Sequence, residues 1–258
     1  MTPPRQPVLL LVAHGSRDPR HAAVVSGLTT ALRGLRPDLA VTAGYLDHCA
    51  PRLPQVLERL WSDDPERPVI AVPLLLNRAF HAKHDIPGVL AEATSRLPGL
   101  DVRLADVLGP HPLLLAALDR RLAEAGVHPS PGTGIVLAAA GSSDPAANAA
   151  TRGVAAAYRA TRGWAAVEVA YASASGPRVP DAIAALRAAG ATRIAVAPYL
   201  LAPGLLPDRI AAATTDAPGA ATLAAPLGPA PELARLLLTR YTGCAELPRG
   251  ALEYAAGL

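Results

Sequence analysis

Three side chains that can bind a metal ion or carry a proton follow successive apolar runs of the chain. His14 comes directly after the run 9–13, and Asp47 and His81 follow the next two runs. Two imidazoles and a carboxylate suit a divalent first-row cation. Neutral imidazole is also a base near pH 7, so the same set suits proton transfer. The pattern indicates a site for one of these chemistries and does not separate hydrolysis from metal insertion.

Alternating strands and helices are predicted to bring these side chains together. The predicted strands are 8–13, 39–45, 69–76 and 102–107, and the predicted helices are 19–36, 54–61, 86–97 and 112–125. Such a rhythm is typical of a doubly wound parallel sheet, whose strands all end at one edge. Gly15 and Ser16 permit a tight turn there, and Asp18 before Pro19 predicts a helix N-cap. If the second strand extends past Asp47, His48 and Cys49 point away from that carboxylate and are secondary ligand candidates.

The second half of the chain repeats the first. Gly15-Ser16-Arg17-Asp18-Pro19 recurs 126 residues later as Gly141-Ser142-Ser143-Asp144-Pro145. We therefore predict two similar α/β lobes, 1–126 and 127–258, joined by a Pro- and Gly-rich linker. The second half has other residues where the first has chemistry: Ala140 for His14, Ser173 for Asp47 and Leu206 for His81. The first lobe is expected to carry the chemistry and the second to retain the shape.

The composition and charge of the chain argue against several classes of function. The 258 residues are 51% hydrophobic, which is typical of a globular chain. A net charge of +3 and only 3% aromatic residues argue against nucleic-acid binding. No apolar run approaches a membrane span, and the first residues show no signal-peptide pattern, so we expect a cytoplasmic protein that binds no membrane. Cys49 and Cys244 are expected to be reduced thiols.

The motifs resemble those of a known family. They are Ala13-His14-Gly15-Ser16-Arg17-Asp18-Pro19, then Tyr45-Leu46-Asp47 with Pro51, and finally His81-Ala82-Lys83-His84-Asp85-Ile86-Pro87. This pattern is similar to the class II tetrapyrrole chelatases of the CbiX and SirB type, in their long, duplicated form. The resemblance implies two α/β lobes around an active cleft and insertion of Fe²⁺, Co²⁺ or Ni²⁺ into sirohydrochlorin, for sirohaem or cobalamin synthesis. It also implies that His14 and His81 bind the metal and accept protons, and that Asp47 replaces the usual glutamate as a third ligand.

Further expectations follow from this chemistry. Sirohydrochlorin carries many carboxylates, for which the candidate binding residues are Ser16, Arg17, Arg52, Arg78 and Lys83. No organic cofactor is required, because the divalent metal is itself a substrate. Fusion of the two lobes predicts a monomer. A non-catalytic metal or tetrapyrrole carrier remains the alternative, whereas a histidine phosphatase is disfavoured because Ala13 stands where its arginine would be.

Overall fold

Short strands and longer helices alternate along the whole chain. The computed structural model describes residues 5–78 and 84–246, so the predicted site residues His81 and Lys83 lie outside the described residues. The strands are β1 (Val8–Ala13), β2 (Val41–Tyr45), β3 (Val69–Pro73), β4 (Val102–Leu104), β5 (Thr133–Ala139), β6 (Ala166–Tyr171), β7 (Arg193–Pro198) and β8 (Thr222–Leu223). The helices are α1 (Pro19–Leu35), α2 (Leu53–Asp63), α3 (Ile86–Arg96), α4 (Pro112–Glu124), α5 (Pro145–Thr161), α6 (Val179–Ala188), α7 (Leu205–Thr215) and α8 (Pro231–Ala245).

The strands form two parallel four-stranded sheets of the same order, β2-β1-β3-β4 and β6-β5-β7-β8. Every residue of β1, β3 and β5 is buried. Such continuous apolar strands are expected where helices cover both faces of a parallel sheet. The predicted α/β fold of two duplicated parallel-sheet lobes is confirmed.

Side-chain alternation along β1 shows how the first core is built. Leu10 and Val12 pack in one cluster with Leu53 and Leu57 of α2 and with Ile86 of α3. Leu9 and Leu11 alternate with them and are also fully buried, so the opposite face of the sheet is covered as well. These two packed faces hold the carboxyl end of β1 rigidly, which fixes the backbone from which His14 projects. Among the described residues, no helix is long and apolar enough to cross a membrane.

The chain divides into two compact units, whose bounds do not follow the two halves of the repeat. The first unit contains the described parts of Met1–Arg17, Val25–Leu108 and Leu233–Leu258, and the second contains Asp18–Val24 and Gly109–Glu232. In the first unit, α8 is fastened by the Tyr241 hydroxyl, which donates to the Pro7 carbonyl at 2.8 Å. In the second, α4 is fastened by Arg121, whose Nε donates to the Leu227 carbonyl at 3.1 Å. The boundary after Gly126 divides the chain by its repeat and stays a prediction, whereas each compact unit includes one helix from the other half of the repeat, α8 in the first unit and α4 in the second.

Replacement of Gly153 by alanine is expected to stabilise the protein by about 1 kcal/mol, since alanine is the better helix former. Gly153 lies exposed inside α5, and an added Cβ would meet nothing within 4 Å. Urea denaturation measures the change. Gly99→Ala is the matched control: its Cβ also meets nothing within 4 Å, but φ is +82°, so that substitution should destabilise. A Gly153→Ala protein no more stable than wild type would contradict the prediction.

Candidate functional site

The carboxyl ends of β1 and β2 lie side by side and bring His14 next to Asp47. Two backbone hydrogen bonds join the chain just beyond the strands: the Leu46 N–H donates to the Ala13 carbonyl at 2.9 Å, and the Asp47 N–H donates to the His14 carbonyl at 2.8 Å. The His14 side chain is partly buried and Asp47 is exposed. An imidazole and a carboxylate therefore stand on adjacent loops at the edge where parallel α/β sheets bind their ligands.

His48 joins this pair, contrary to the expectation from an extended strand. Its φ is +61°, a left-handed conformation that turns the chain back. Its ring centroid is 6.3 Å from that of His14, with the two rings nearly perpendicular. Its Nε2 is 3.4 Å from Asp47 Oδ2, and its backbone N–H donates to Asp47 Oδ1 at 2.8 Å. The loop after β2 thus gathers a second imidazole beside the predicted residues.

Arg52 holds the Asp47 carboxylate in its charged form. Its Nη1 donates to Asp47 Oδ1 at 2.6 Å and to the Leu46 carbonyl at 2.9 Å. This hydrogen bond, followed by the one from the His48 N–H, lowers the pKa of Asp47 below its usual value. A carboxylate that stays ionised is suited to attract a divalent cation or to stabilise an imidazolium.

Substitution of Arg52 by alanine is expected to raise the pKa of the Asp47 carboxyl toward its ordinary value, because the hydrogen bond that favours the charged form is lost. Titration of the Asp47 carboxyl ¹³C resonance by NMR measures the change. Arg59→Ala is the control, because Arg59 lies exposed on α2 and is not among the groups that act on Asp47. An unchanged Asp47 titration in the Arg52 variant would show that the pair does not persist in solution.

The other predicted substrate-binding residues have different surroundings. Arg78, after β3, pairs through Nη2 with Asp106 Oδ2 at 2.8 Å, and Arg17 lies exposed in the turn after β1. The backbone N–H of Ser16 in that turn approaches the Cys49 sulfur at 3.5 Å. Within residues 5–78 and 84–246, no three His, Cys, Asp or Glu side chains are grouped closely enough to hold a metal ion. The predicted ligand His81 lies outside those ranges.

The second unit repeats the loop geometry without the chemistry. The Ser173 N–H donates to the Ala140 carbonyl at 2.9 Å, as Asp47 does to His14. Ala174 has a φ of +59°, matching His48. Arg178, the counterpart of Arg52, differs slightly, since its Nη1 donates at 3.1 Å to the Tyr171 carbonyl, one residue before the counterpart of Leu46. The backbone of the site has been kept on both sheets, whereas the imidazoles and the carboxylate stand on the first sheet alone among the described residues.

Two side chains outside the group formed by His14, Asp47 and His48 cap helices. Asp18 Oδ1 accepts from the Arg20 N–H at 2.9 Å, which confirms the predicted cap of α1. His111 Nδ1 accepts from the Leu113 N–H at 3.1 Å and caps α4. A groove of about 520 Å³ in the second unit, lined by Arg152, Arg159 and alanines of α5, contains none of the predicted residues.

Curated proteins similar to this chain share one activity in their names. A sirohydrochlorin ferrochelatase from Priestia megaterium is 28% identical over 203 residues, covering 78% of this chain and 76% of the relative. A sirohydrochlorin cobaltochelatase from the same organism is 26% identical over 211 residues, covering 78% of this chain and 66% of the relative.

Solved structures confirm the fold over nearly the whole chain. SirB from Bacillus subtilis with Fe³⁺ aligns with a TM-score of 0.80 and 24% identity, covering 93% of this chain and 96% of that one. The sirohydrochlorin chelatase SirB from Bacillus subtilis subspecies spizizenii, in complex with cobalt, aligns with a TM-score of 0.75 and 23% identity, covering 95% and 97%. The CbiX family model matches residues 8–125 and 134–244, once in each half of the repeat. The chain therefore belongs to the CbiX family.

Proposed function

We propose that this protein is a sirohydrochlorin chelatase that inserts Fe²⁺ or Co²⁺ into the tetrapyrrole. The observation that carries the proposal is the contact between the loops of His14 and Asp47 at the carboxyl edge of the first sheet, in a chain of the CbiX family. Its similar curated relatives are named for iron insertion in one case and cobalt insertion in the other. Because the two are almost equally similar to this chain, the proposal includes both metals.

Metal insertion requires that two pyrrole nitrogens lose their protons and that the metal loses bound water. In the proposed mechanism, His14 and His81 bind the cation on one side of the ring and accept these protons. A neutral imidazole has one nitrogen lone pair, which serves either the metal or a proton, so the two roles alternate as the metal passes to the ring. The ionised Asp47 carboxylate beside His14 stabilises first the cation and then the imidazolium. No organic cofactor takes part in this scheme.

Substrate recognition is proposed to use the basic residues around the same edge. Arg17 is exposed in the turn after β1, and the hydrogen bonds of Arg52 to the site are made through Nη1. We assign Ser16, Arg17, Arg52, Arg78 and Lys83 to the substrate carboxylates. Guanidinium and ammonium groups bind carboxylates with charge-assisted hydrogen bonds, and the serine hydroxyl donates a neutral one. The Arg78–Asp106 pair is exposed, so its exchange for a substrate carboxylate costs little.

The test is the absorbance change of sirohydrochlorin on metallation. Fe²⁺ under anaerobic conditions, Co²⁺ and Ni²⁺ are each mixed with the tetrapyrrole, with and without the wild-type protein. Acceleration above the protein-free rate is the expected result, and the relative rates rank the metals. Tetrapyrrole binding without acceleration by any metal would overturn the proposal and favour a carrier. Size exclusion with light scattering tests the accompanying expectation of a functional monomer.

A further inference from the structure

The turn that carries His14 is fastened by a cysteine on the neighbouring loop. The Ser16 N–H approaches the Cys49 sulfur at 3.5 Å, and the Cys49 thiol donates to the Ser16 carbonyl at 3.1 Å. One side chain thus satisfies both backbone groups of Ser16. These two contacts, together with the hydrogen bond from the Asp47 N–H to the His14 carbonyl, join the turn to the loop after β2 both at His14 and at Ser16.

The second unit fastens the equivalent turn with a different side chain. There, the Ser142 N–H donates to Asn148 Oδ1 at 3.0 Å and Asn148 Nδ2 donates to the Ser142 carbonyl at 2.7 Å. Asn148 Nδ2 also donates to the hydroxyl of Ser175, the residue that corresponds to Cys49 in the repeat, at 3.3 Å. Asn148 itself corresponds to Ala22. The same two backbone groups are therefore satisfied from α5 in one unit and from the loop after β2 in the other.

This difference matters because the first turn carries the proposed catalytic histidine. Because Cys49 lies in the loop after β2, its contacts with Ser16 tie the position of His14 directly to the loop that carries Asp47 and His48. A free turn would allow the imidazole to move relative to the carboxylate, and small displacements of reacting groups cost large factors in rate. The thiol hydrogen is already donated to Ser16, and a metal-bound thiolate would lose that bond.

We propose that Cys49 is a positioning residue, which holds the His14 turn in register with Asp47 through hydrogen bonds and does not ligate the metal. The inference rests on the proposed function for its effect on rate. Its effect on the geometry of His14 does not depend on that function.

The test compares Cys49→Ala with a double variant that places in the first unit the two side-chain types that bind the equivalent turn in the second unit. Loss of a residue that orients a metal-binding group typically costs about 10- to 100-fold in activity. We expect Cys49→Ala to lower the rate of metal insertion by this factor and to shift the His14 ring signals in NMR spectra of the metal-free protein. The double variant Ala22→Asn/Cys49→Ser supplies the amide and the hydroxyl found in the second unit and should restore most of the rate and the wild-type His14 signals. Cys244→Ala, which removes the thiol of α8, is the control and should leave both unchanged.

Three results would overturn the inference. In the first, Cys49→Ala retains the wild-type rate and the wild-type His14 signals. In the second, the Co²⁺-loaded wild-type protein shows a thiolate-to-cobalt charge-transfer band that Cys49→Ala lacks, which would make Cys49 a ligand. In the third, the folded double variant restores neither the rate nor the signals. If wild-type protein accelerates no metal insertion, the proposed function fails, while the His14 signals still decide the role of Cys49.

Discussion

Substitution of Gly15 by alanine is expected to destabilise the protein by about 2–5 kcal/mol, from the left-handed backbone and the overpacking combined. Gly15 has a φ of +93°, and a Cβ there would lie 1.7 Å from the Asp47 carbonyl oxygen. That oxygen belongs to the backbone and accepts from the Cys49 N–H at 2.7 Å, so it cannot move away without breaking this hydrogen bond in the loop after β2. Because the displaced loop carries Asp47 and His48, chelatase activity should be lost together with stability.

Chemical denaturation and far-ultraviolet circular dichroism measure the effect on stability. Gly141→Ala is the matched variant: φ is +83° and the Cβ would lie 2.1 Å from the Ser173 carbonyl. It should lose comparable stability, yet its folded fraction should keep the chelatase rate, since the described part of that loop carries no histidine. A Gly15→Ala protein with the wild-type denaturation midpoint would show that the two loops are not in contact in solution.

The sequence predicts the elements well where burial is unambiguous. The run Val8–Ala13 is predicted to the residue because all six side chains are buried. The predicted third strand is too long: it ends at Pro73, although the following leucines are as apolar as the strand. An apolar side chain indicates burial and not strand conformation, so a buried loop residue such as Leu74 cannot be told from a strand residue by its apolarity. Strand ends are therefore less predictable than strand positions.

Some features of the candidate site also follow from the sequence, and others do not. Adjacency of His14 and Asp47 follows from topology alone, because two neighbouring parallel strands end at one edge. The place of His48 does not follow, since side-chain alternation assumes an extended backbone and His48 has a positive φ. Ala174 adopts the same conformation, so the loop imposes it and the histidine does not. Comparison of the two repeats could have flagged Cys49, because Asn148 and Ser175 are polar where Ala22 and Cys49 stand in the first half. Sequence alone, however, does not reveal which backbone groups they satisfy.

Replacement of His14 by alanine is expected to lower the rate of metal insertion by about 10²- to 10⁴-fold, the contribution typical of a positioned acid or base. The same range is expected for His81→Ala, since the mechanism assigns these residues equivalent roles on the metal and the pyrrole protons. Stability should change little at His14, because its side chain is only partly buried and its backbone bond to Asp47 survives the substitution. Stopped-flow absorbance of sirohydrochlorin with the fastest metal gives the rates, and thermal unfolding checks the fold.

His128→Ala is the control, because His128 is exposed in the linker and has no part in the mechanism. It should retain the wild-type rate. The double variant His14→Ala/His81→Ala adds a stronger test, since residues that act as one unit are strongly non-additive. If both histidines serve one metal-transfer step, the double variant should be scarcely slower than either single variant. Losses that multiply would instead show that His14 and His81 act in separate steps, and a wild-type rate for His14→Ala would remove this residue from the mechanism.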